Sequence, residues 1–212
     1  MRALEAVTVD AFGTAVELED PVPRLQAALA GRGIDASTET VARAFRAEVA
    51  FYLPRSHVGR DAESLAALRR DCAAVFLAQA GAAQIDPDEF VPDFVSSLRF
   101  RPLPGAGEAL ARLRTAGLRL ACVSNWDFSL AEHLDAAGLG ASFDAVVSSA
   151  EAGVAKPDPR PFRLALERLA VAPAGALHVG DDEADRAGAA AAGLAFAPPP
   201  LGTLPARLGL EV

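Results

Sequence analysis

Val7-Thr8-Val9-Asp10-Ala11-Phe12-Gly13-Thr14 decides how this chain is read. A short apolar run ends in a carboxylate, and Gly13 permits a tight loop behind it. Asp10 is thereby expected at the mouth of a buried strand of about residues 6–10. Three later stretches have the same character: Val123-Ser124-Asn125, Lys156-Pro157-Asp158-Pro159, and Val179-Gly180-Asp181-Asp182-Glu183-Ala184-Asp185. Together they offer a nucleophile, hydroxyl and amide donors, a cation and a second group of carboxylates.

The pattern around these stretches sets the architecture. From Pro21 to about Ser97 the apolar spacing is helical. One helix runs from Pro21 to Gly31, and a second is capped by Ser37 or Thr38. A third starts at Asp61 or Ser64, and the last follows Asp86-Pro87. No strand signal interrupts them. Arg101-Pro102-Leu103-Pro104-Gly105 then punctuates the chain. Beyond it strands at 118–123, 143–148, 176–179 and 194–197 alternate with helices at 107–115, 128–137, 161–169 and 184–192. Strands apolar on both faces, alternating with helices, read as a parallel sheet covered by helices. The expectation is an α/β core built from residues 1–16 and 101–212, with residues 17–100 inserted as an all-helical cap. Ligands of open parallel sheets bind beyond the carboxyl ends of the strands. All four stretches are expected there, beneath the insertion.

Composition narrows the partners. The 212 residues are 51% hydrophobic, which opposes disorder. A net charge of −8 argues against a nucleic-acid backbone as partner and leaves room for a small anionic substrate held by a local cation. No apolar run approaches the roughly 20 residues of a membrane span. Arg2, Glu5 and Asp10 oppose a secretory signal, and a cytoplasmic address is expected. Cys72 and Cys122 read as buried thiols, and His57, His133 and His178 lack metal-ligand spacing. A monomer and a homodimer are equally compatible with the pattern.

Each candidate has a chemical reason. Asp10 can attack an electrophilic centre to form an ester or acyl phosphate. Thr14 offers a hydroxyl to its loop or to substrate. Ser124 and Asn125 offer a hydroxyl, an amide and nearby backbone N–H groups to an anion, or cap a helix. Trp126 packs or walls the pocket. Lys156 can hold an anion and offset the charge of Asp10. Asp181, Asp182 and Asp185 repel one another unless a cation intervenes, and with Asp10 they make the oxygen-rich surroundings Mg²⁺ prefers. Asp181 is the first expected ligand. Asp185 supports the site or binds through water, and Asp182 can cap the next helix.

These four stretches, in this order, resemble the motifs of the haloacid dehalogenase-like hydrolase superfamily, in its branch with a helical cap after the first motif. The resemblance covers nearly the whole chain. It implies a Rossmann-like core, Asp10 as nucleophile, and Ser124 and Lys156 as anion-binding groups. In phosphatases of the family it implies Mg²⁺ held by Asp10, Asp181 and the backbone carbonyl at Phe12. Such phosphatases usually carry a second Asp two residues after the nucleophile, where this chain has Phe12. Family dehalogenases carry an aromatic there, in a motif resembling Asp-Ala-Tyr-Gly-Thr, and tend to have Ser and Asn near the position of Asp181. The first motif thus leans toward a dehalogenase and the fourth toward a phosphatase. The favoured expectation is a Mg²⁺-dependent phosphatase of a small phosphorylated metabolite, with a metal-independent 2-haloacid dehalogenase and a catalytically weak phosphate- or Mg²⁺-binding interaction module as alternatives. A dehalogenase would use a cap arginine, for which Arg43, Arg46, Arg55 and Arg60 are candidates. Phe51, Tyr52, His57 and Arg60 are candidates to face the cleft.

Overall fold

The computed structural model describes residues 3–210; Arg2 lies outside them. Strand β1, Ala6–Val9, is buried along its whole length. It lies at the centre of a five-stranded sheet between β4, Arg119–Ser124, and β6, Ala176–Val179. The outer strands are β5, Ala145–Ser148, beside β4, and β7, Ala195–Ala197, beside β6. Every pairing is parallel, so all five carboxyl ends lie on one edge. Both faces are covered, and the strand sequences are accordingly apolar with few breaks. One face packs against α5, Ala106–Thr115, and α6, Leu130–Ala136, through residues such as Leu110, Leu113 and Leu134. The other packs against α8, Arg160–Leu169, and α9, Glu183–Ala192, through Phe162, Leu166 and Ala189.

The insertion leaves this sheet directly after the Asp10 loop. It carries α1, Val22–Ala30; α2, Thr38–Tyr52; α3, Ala62–Gln79; and α4, Pro87–Ser97. Ser37 and Asp61 cap α2 and α3 by accepting backbone N–H groups that have no partner inside the helix, and Asp86 does the same for α4. The four helices bury their own apolar cluster around Phe76, Phe90 and Phe94.

The root of the insertion differs from the expectation. Val16–Leu18, β2, pairs antiparallel with Phe100–Pro102, β3, so the expected boundaries at 16/17 and 100/101 fall inside a two-stranded ribbon. Arg101 and Glu17 face each other across it, with a 2.9 Å ion pair. Each strand is three residues long and largely unburied, and Pro102 can sit at such an edge because the ladder does not need its missing N–H. A further short helix, Ser149–Ala152 (α7), follows β5 directly, and Leu204–Arg207 (α10) packs near the start of α5. Neither was expected.

Phe76 is fully buried, and its ring lies 5.8 Å from that of Phe90 and 5.5 Å from that of Phe94. Phe76→Ala should destabilise the protein by roughly 3–5 kcal/mol through lost burial and the cavity left behind. Urea unfolding of the two proteins measures this.

Candidate active site

Asp10 continues β1 by one residue, its N–H donating to the Val179 carbonyl at 2.8 Å. It is buried to 5% exposure, yet it lines a cavity between the sheet edge and the insertion. Its Oδ1 accepts from Lys156 Nζ at 2.5 Å and from Ser124 Oγ at 2.9 Å. Lys156 Nζ also donates to Asp185 Oδ1 and, at 3.2 Å, to the Val123 carbonyl. One buried ammonium thus ties together three segments far apart in sequence.

A further layer holds Asp185. His178 Nε2 lies 3.0 Å from Asp185 Oδ1, and His178 Nδ1 lies 2.8 Å from Thr8 Oγ1. Burial lowers the pKa of His178 and favours neutral imidazole. The network then assigns the proton to Nε2, which donates to Asp185, while Thr8 donates to Nδ1. Thr8 and His178 are register partners in the sheet. Neither was singled out from sequence for this role. The available signal was a polar residue inside each of two apolar strands, Val7-Thr8-Val9 and Leu177-His178-Val179.

The electrostatics follow from burial and these contacts. Burial, opposed by the Lys156 charge and reinforced by Asp185, pushes Asp10 up to about 6. For Asp185 burial opposes ionisation, but His178 and Lys156 more than offset it and hold the carboxyl well below the usual range. Burial likewise works against charge on Lys156, and its two carboxylate partners prevail and raise it. Lys156 is therefore a fixed cation, unsuited to giving up a proton.

Asp181 completes the carboxylate group. One oxygen from each of Asp10, Asp181 and Asp185 lies within 4.8 Å of the others. Burial and the charge of Asp185 raise the pKa of Asp181, which makes no ion pair among the described residues. Gly13, at φ +81°, sits directly on Asp181: a Cβ there would lie 2.3 Å from Asp181 Oδ2. The close approach is the physical need for glycine. These donors fit a hard divalent cation. Asp10, Asp181 and the Phe12 carbonyl, which accepts no backbone hydrogen bond, have free oxygens. Asp185 is within reach, but its Oδ1 already serves Lys156 and His178.

Other expected residues take different positions. Asn125 spends its amide on the Lys156 loop. Its Oδ1 accepts from Lys156 N–H at 2.7 Å, and its Nδ2 donates to the Lys156 carbonyl at 3.2 Å. It lines the cavity but positions Lys156 rather than offering a free donor. Thr14 is 1% exposed and does not line the cavity, and its Oγ1 has no partner. The Ala11 carbonyl gathers the N–H groups of Ala15 and Val16 and tucks this turn inward, away from substrate. Asp182 caps α9, accepting from Asp185 N–H at 2.7 Å. Trp126 is buried, walls the cavity and meets Phe100 edge-on at 4.8 Å.

The cavity is about 500 Å³, and its walls are mostly apolar. Phe12, 53% exposed, forms part of them. Of the residues expected to face the cleft, Tyr52 does, and its hydroxyl donates to Asp127 Oδ2 at 3.0 Å, joining insertion to core. Phe51, His57 and Arg60 do not line it, nor do Arg43, Arg46 and Arg55. Arg55 instead stacks on Phe51. The insertion's cavity-lining arginine is Arg69, and a buried carboxyl, Glu48, lines it too. Both were missed, because helical spacing does not say which polar position a neighbouring helix will cover.

Comparison with known proteins agrees with this geometry. A model of the haloacid dehalogenase-like hydrolase family matches residues 4–193. The chain belongs to that family. It is 33% identical to (S)-2-haloacid dehalogenase of Xanthobacter autotrophicus over 190 residues, 88% of this chain and 71% of that protein. It is 47% identical over 94 residues to haloacid dehalogenase-like hydrolase domain-containing protein 3 of Mus musculus, which is 44% of this chain and 38% of that one. The chain thus spans about two fifths of the length of that relative. It is 42% identical over 121 residues to phosphoserine phosphatase of Thermus thermophilus, 56% of this chain and 49% of the relative. Among solved structures, L-2-haloacid dehalogenase of Xanthobacter autotrophicus superposes with a TM-score of 0.67 at 30% identity, covering 92% of this chain and 77% of that one.

Glu48 gives the site a pH signature. Burial pushes its carboxyl up from 4.5 to about 7. The folded state therefore holds this proton to higher pH than the unfolded chain does. Stability from this group falls as pH rises from about 4.5 to about 7 and stays low above that. Glu48→Gln should remove that decline and be more stable than the parent by roughly 1–3 kcal/mol at pH 8, with little difference at pH 4.5. Denaturant midpoints of both proteins at the two pH values measure it.

Proposed function

We propose that this hydrolase is a phosphatase acting on an organic phosphate monoester through a phosphoryl-Asp10 intermediate. The observation that carries the reading is Asp181, an ion-pair-free carboxylate held against Asp10 in a cluster with one ammonium among three carboxylates. Such a cluster repels an anionic substrate unless a cation neutralises it. Mg²⁺ held by Asp10, Asp181 and the Phe12 carbonyl would supply that charge and polarise the phosphoryl oxygens.

The chain's own groups account for the rest. Asp10 Oδ1 is held by Lys156 and Ser124, and one carboxylate oxygen attacks phosphorus while the other would face the cation. As the new O–P bond forms, the ester P–O bond breaks and its electrons leave with the alkoxide. Water then attacks phosphorus, releasing inorganic phosphate and restoring the carboxylate. Lys156, locked in its charged form by two carboxylates, stabilises negative charge throughout. Phe12 has no proton to give, so the leaving group takes its proton from solvent. General acid–base help is typically worth 10²–10⁴-fold, and its absence favours substrates with good leaving groups.

A second reading has its own support. Phe12 presents an exposed aromatic side chain to a largely apolar cavity, and the relative matched over most of this chain is named a 2-haloacid dehalogenase. In that reading Asp10 displaces halide from carbon, which needs no leaving-group proton.

Initial rates on 4-nitrophenyl phosphate with Mg²⁺, with excess EDTA, and with Asp10→Asn separate the two. The phosphatase reading predicts phosphate release that requires Mg²⁺ and disappears in the variant. Halide release from 2-haloacids unaffected by EDTA, with no phosphate release, would contradict it.

A further inference from the structure

Glu48 differs from the other buried carboxylates described: Asp10 and Asp185 are ion-paired, and Asp127 accepts from Tyr52 and Ser129. Glu48 lies on α2, is 4% exposed, and lines the cavity. Asp10, Asp185 and Lys156 all have charged partners, whereas no basic side chain bears on Glu48. The Cys72 thiol of α3 lies beside it. A buried carboxyl without a counter-charge is costly to ionise, and either a proton or a cation that enters the cavity satisfies it.

The surroundings select the sign of that partner. Burial first, and then the charges of Glu48 and Asp127, hold the neighbouring Cys72 thiol neutral. Arg69, the cavity-lining cation of the insertion, bears on His133 and not on Glu48. An ionised Glu48 therefore favours a cation beside it over a neutral or anionic group. The cavity that Glu48 and Asp10 share has aromatic walls, including Phe45, Phe94, Phe100 and Trp126. A cavity of about 500 Å³ is far larger than a phosphate or a three-carbon acid needs.

Resting on the phosphatase reading above, we infer that the substrate is a phosphate monoester with an apolar, ring-sized body ending in an amine, and that Glu48 is the residue that selects the amine. The phosphoryl group sits at Asp10 and Lys156, the body fills the apolar span, and the ammonium meets Glu48. Pairing relieves the isolated carboxyl, so binding energy that the empty site lacks is gained only with an amine-bearing ligand.

Two aryl phosphates of matched leaving group test this: 4-(2-aminoethyl)phenyl phosphate and its neutral counterpart 4-ethylphenyl phosphate. The parent should favour the amine by tenfold or more in kcat/KM. Glu48→Leu should abolish or reverse that preference, and Glu48→Gln should reduce it. Calorimetric binding of the two corresponding phenols, to the parent and to Glu48→Leu, needs no turnover and should show the same Glu48-dependent preference. Phosphate release without an amine preference, or a preference unchanged in Glu48→Leu, would overturn the assignment while leaving the phosphatase reading intact. Glu48-dependent binding of the amino phenol without phosphate release from either ester would uphold the role of Glu48 and overturn the phosphatase reading.

Discussion

The ammonium of Lys156 is the constraint around which the site is organised. It is 3% exposed at its side chain and lies between two carboxylates that would otherwise repel each other in a dry interior. Removing it would leave Asp10 and Asp185 buried side by side, a far costlier state than the intact pair of bridges. The sheet exists in a form that permits this contact. Parallel strands β1, β4 and β6 bring Asp10, Ser124 and the loop before Asp185 to one edge. Asn125 grips the backbone of Lys156 on both sides, and the Thr8–His178–Asp185 chain fixes the far carboxylate from within the sheet. Preorganisation of this kind lets a charge act on a reacting group without moving at the moment of reaction.

The helical insertion completes the environment in a different way. It has its own core, centred on three phenylalanines, and it walls the cavity at the strand ends. Tyr52 and the Gly59 carbonyl bind the core at Asp127 and at the Phe128 N–H. The wall supplies apolar surface and very few charges. Asp10, Ser124, Lys156 and Asp181 stand at the sheet edge, and the insertion adds mostly apolar walls to the cavity. Phe12 stands at the boundary between the two. It carries no titratable proton and adds apolar surface to the cavity.

Much of this was legible in the sequence because burial leaves a two-sided mark. Strands β1, β4 and β6 are apolar at consecutive positions, and a carboxylate or hydroxyl at the end of such a run has few reasons to be there except the edge of the sheet. Asp10, Ser124 and Asp181 stand out this way, Lys156 by its place between a Gly-bearing turn and Pro157, and helix starts at Ser37, Asp61 and Asp86 by their capping oxygens. The ribbon of β2 and β3 was not, because strands of three residues are too short to carry a periodicity. Thr14 was misplaced because its type, and not the direction of its turn, is what a sequence displays. Glu48 and Arg69 sit among other polar residues on long helices. Only the packing of α2 against α3 distinguishes a solvated position from one that faces a cavity.

The central claim is that Asp10 carries the phosphoryl group. Because Phe12 offers no base to activate water, breakdown of the aspartyl phosphate should be slow enough for the adduct to accumulate. Rapid acid quench of the protein with 4-nitrophenyl phosphate and Mg²⁺, followed by peptide mass spectrometry, measures it directly. A phosphoryl mass is expected on the peptide containing Asp10, forming within the first turnover and decaying as substrate is exhausted. Measurable phosphate release with no adduct on Asp10 at any time, or an adduct on another residue, would contradict it.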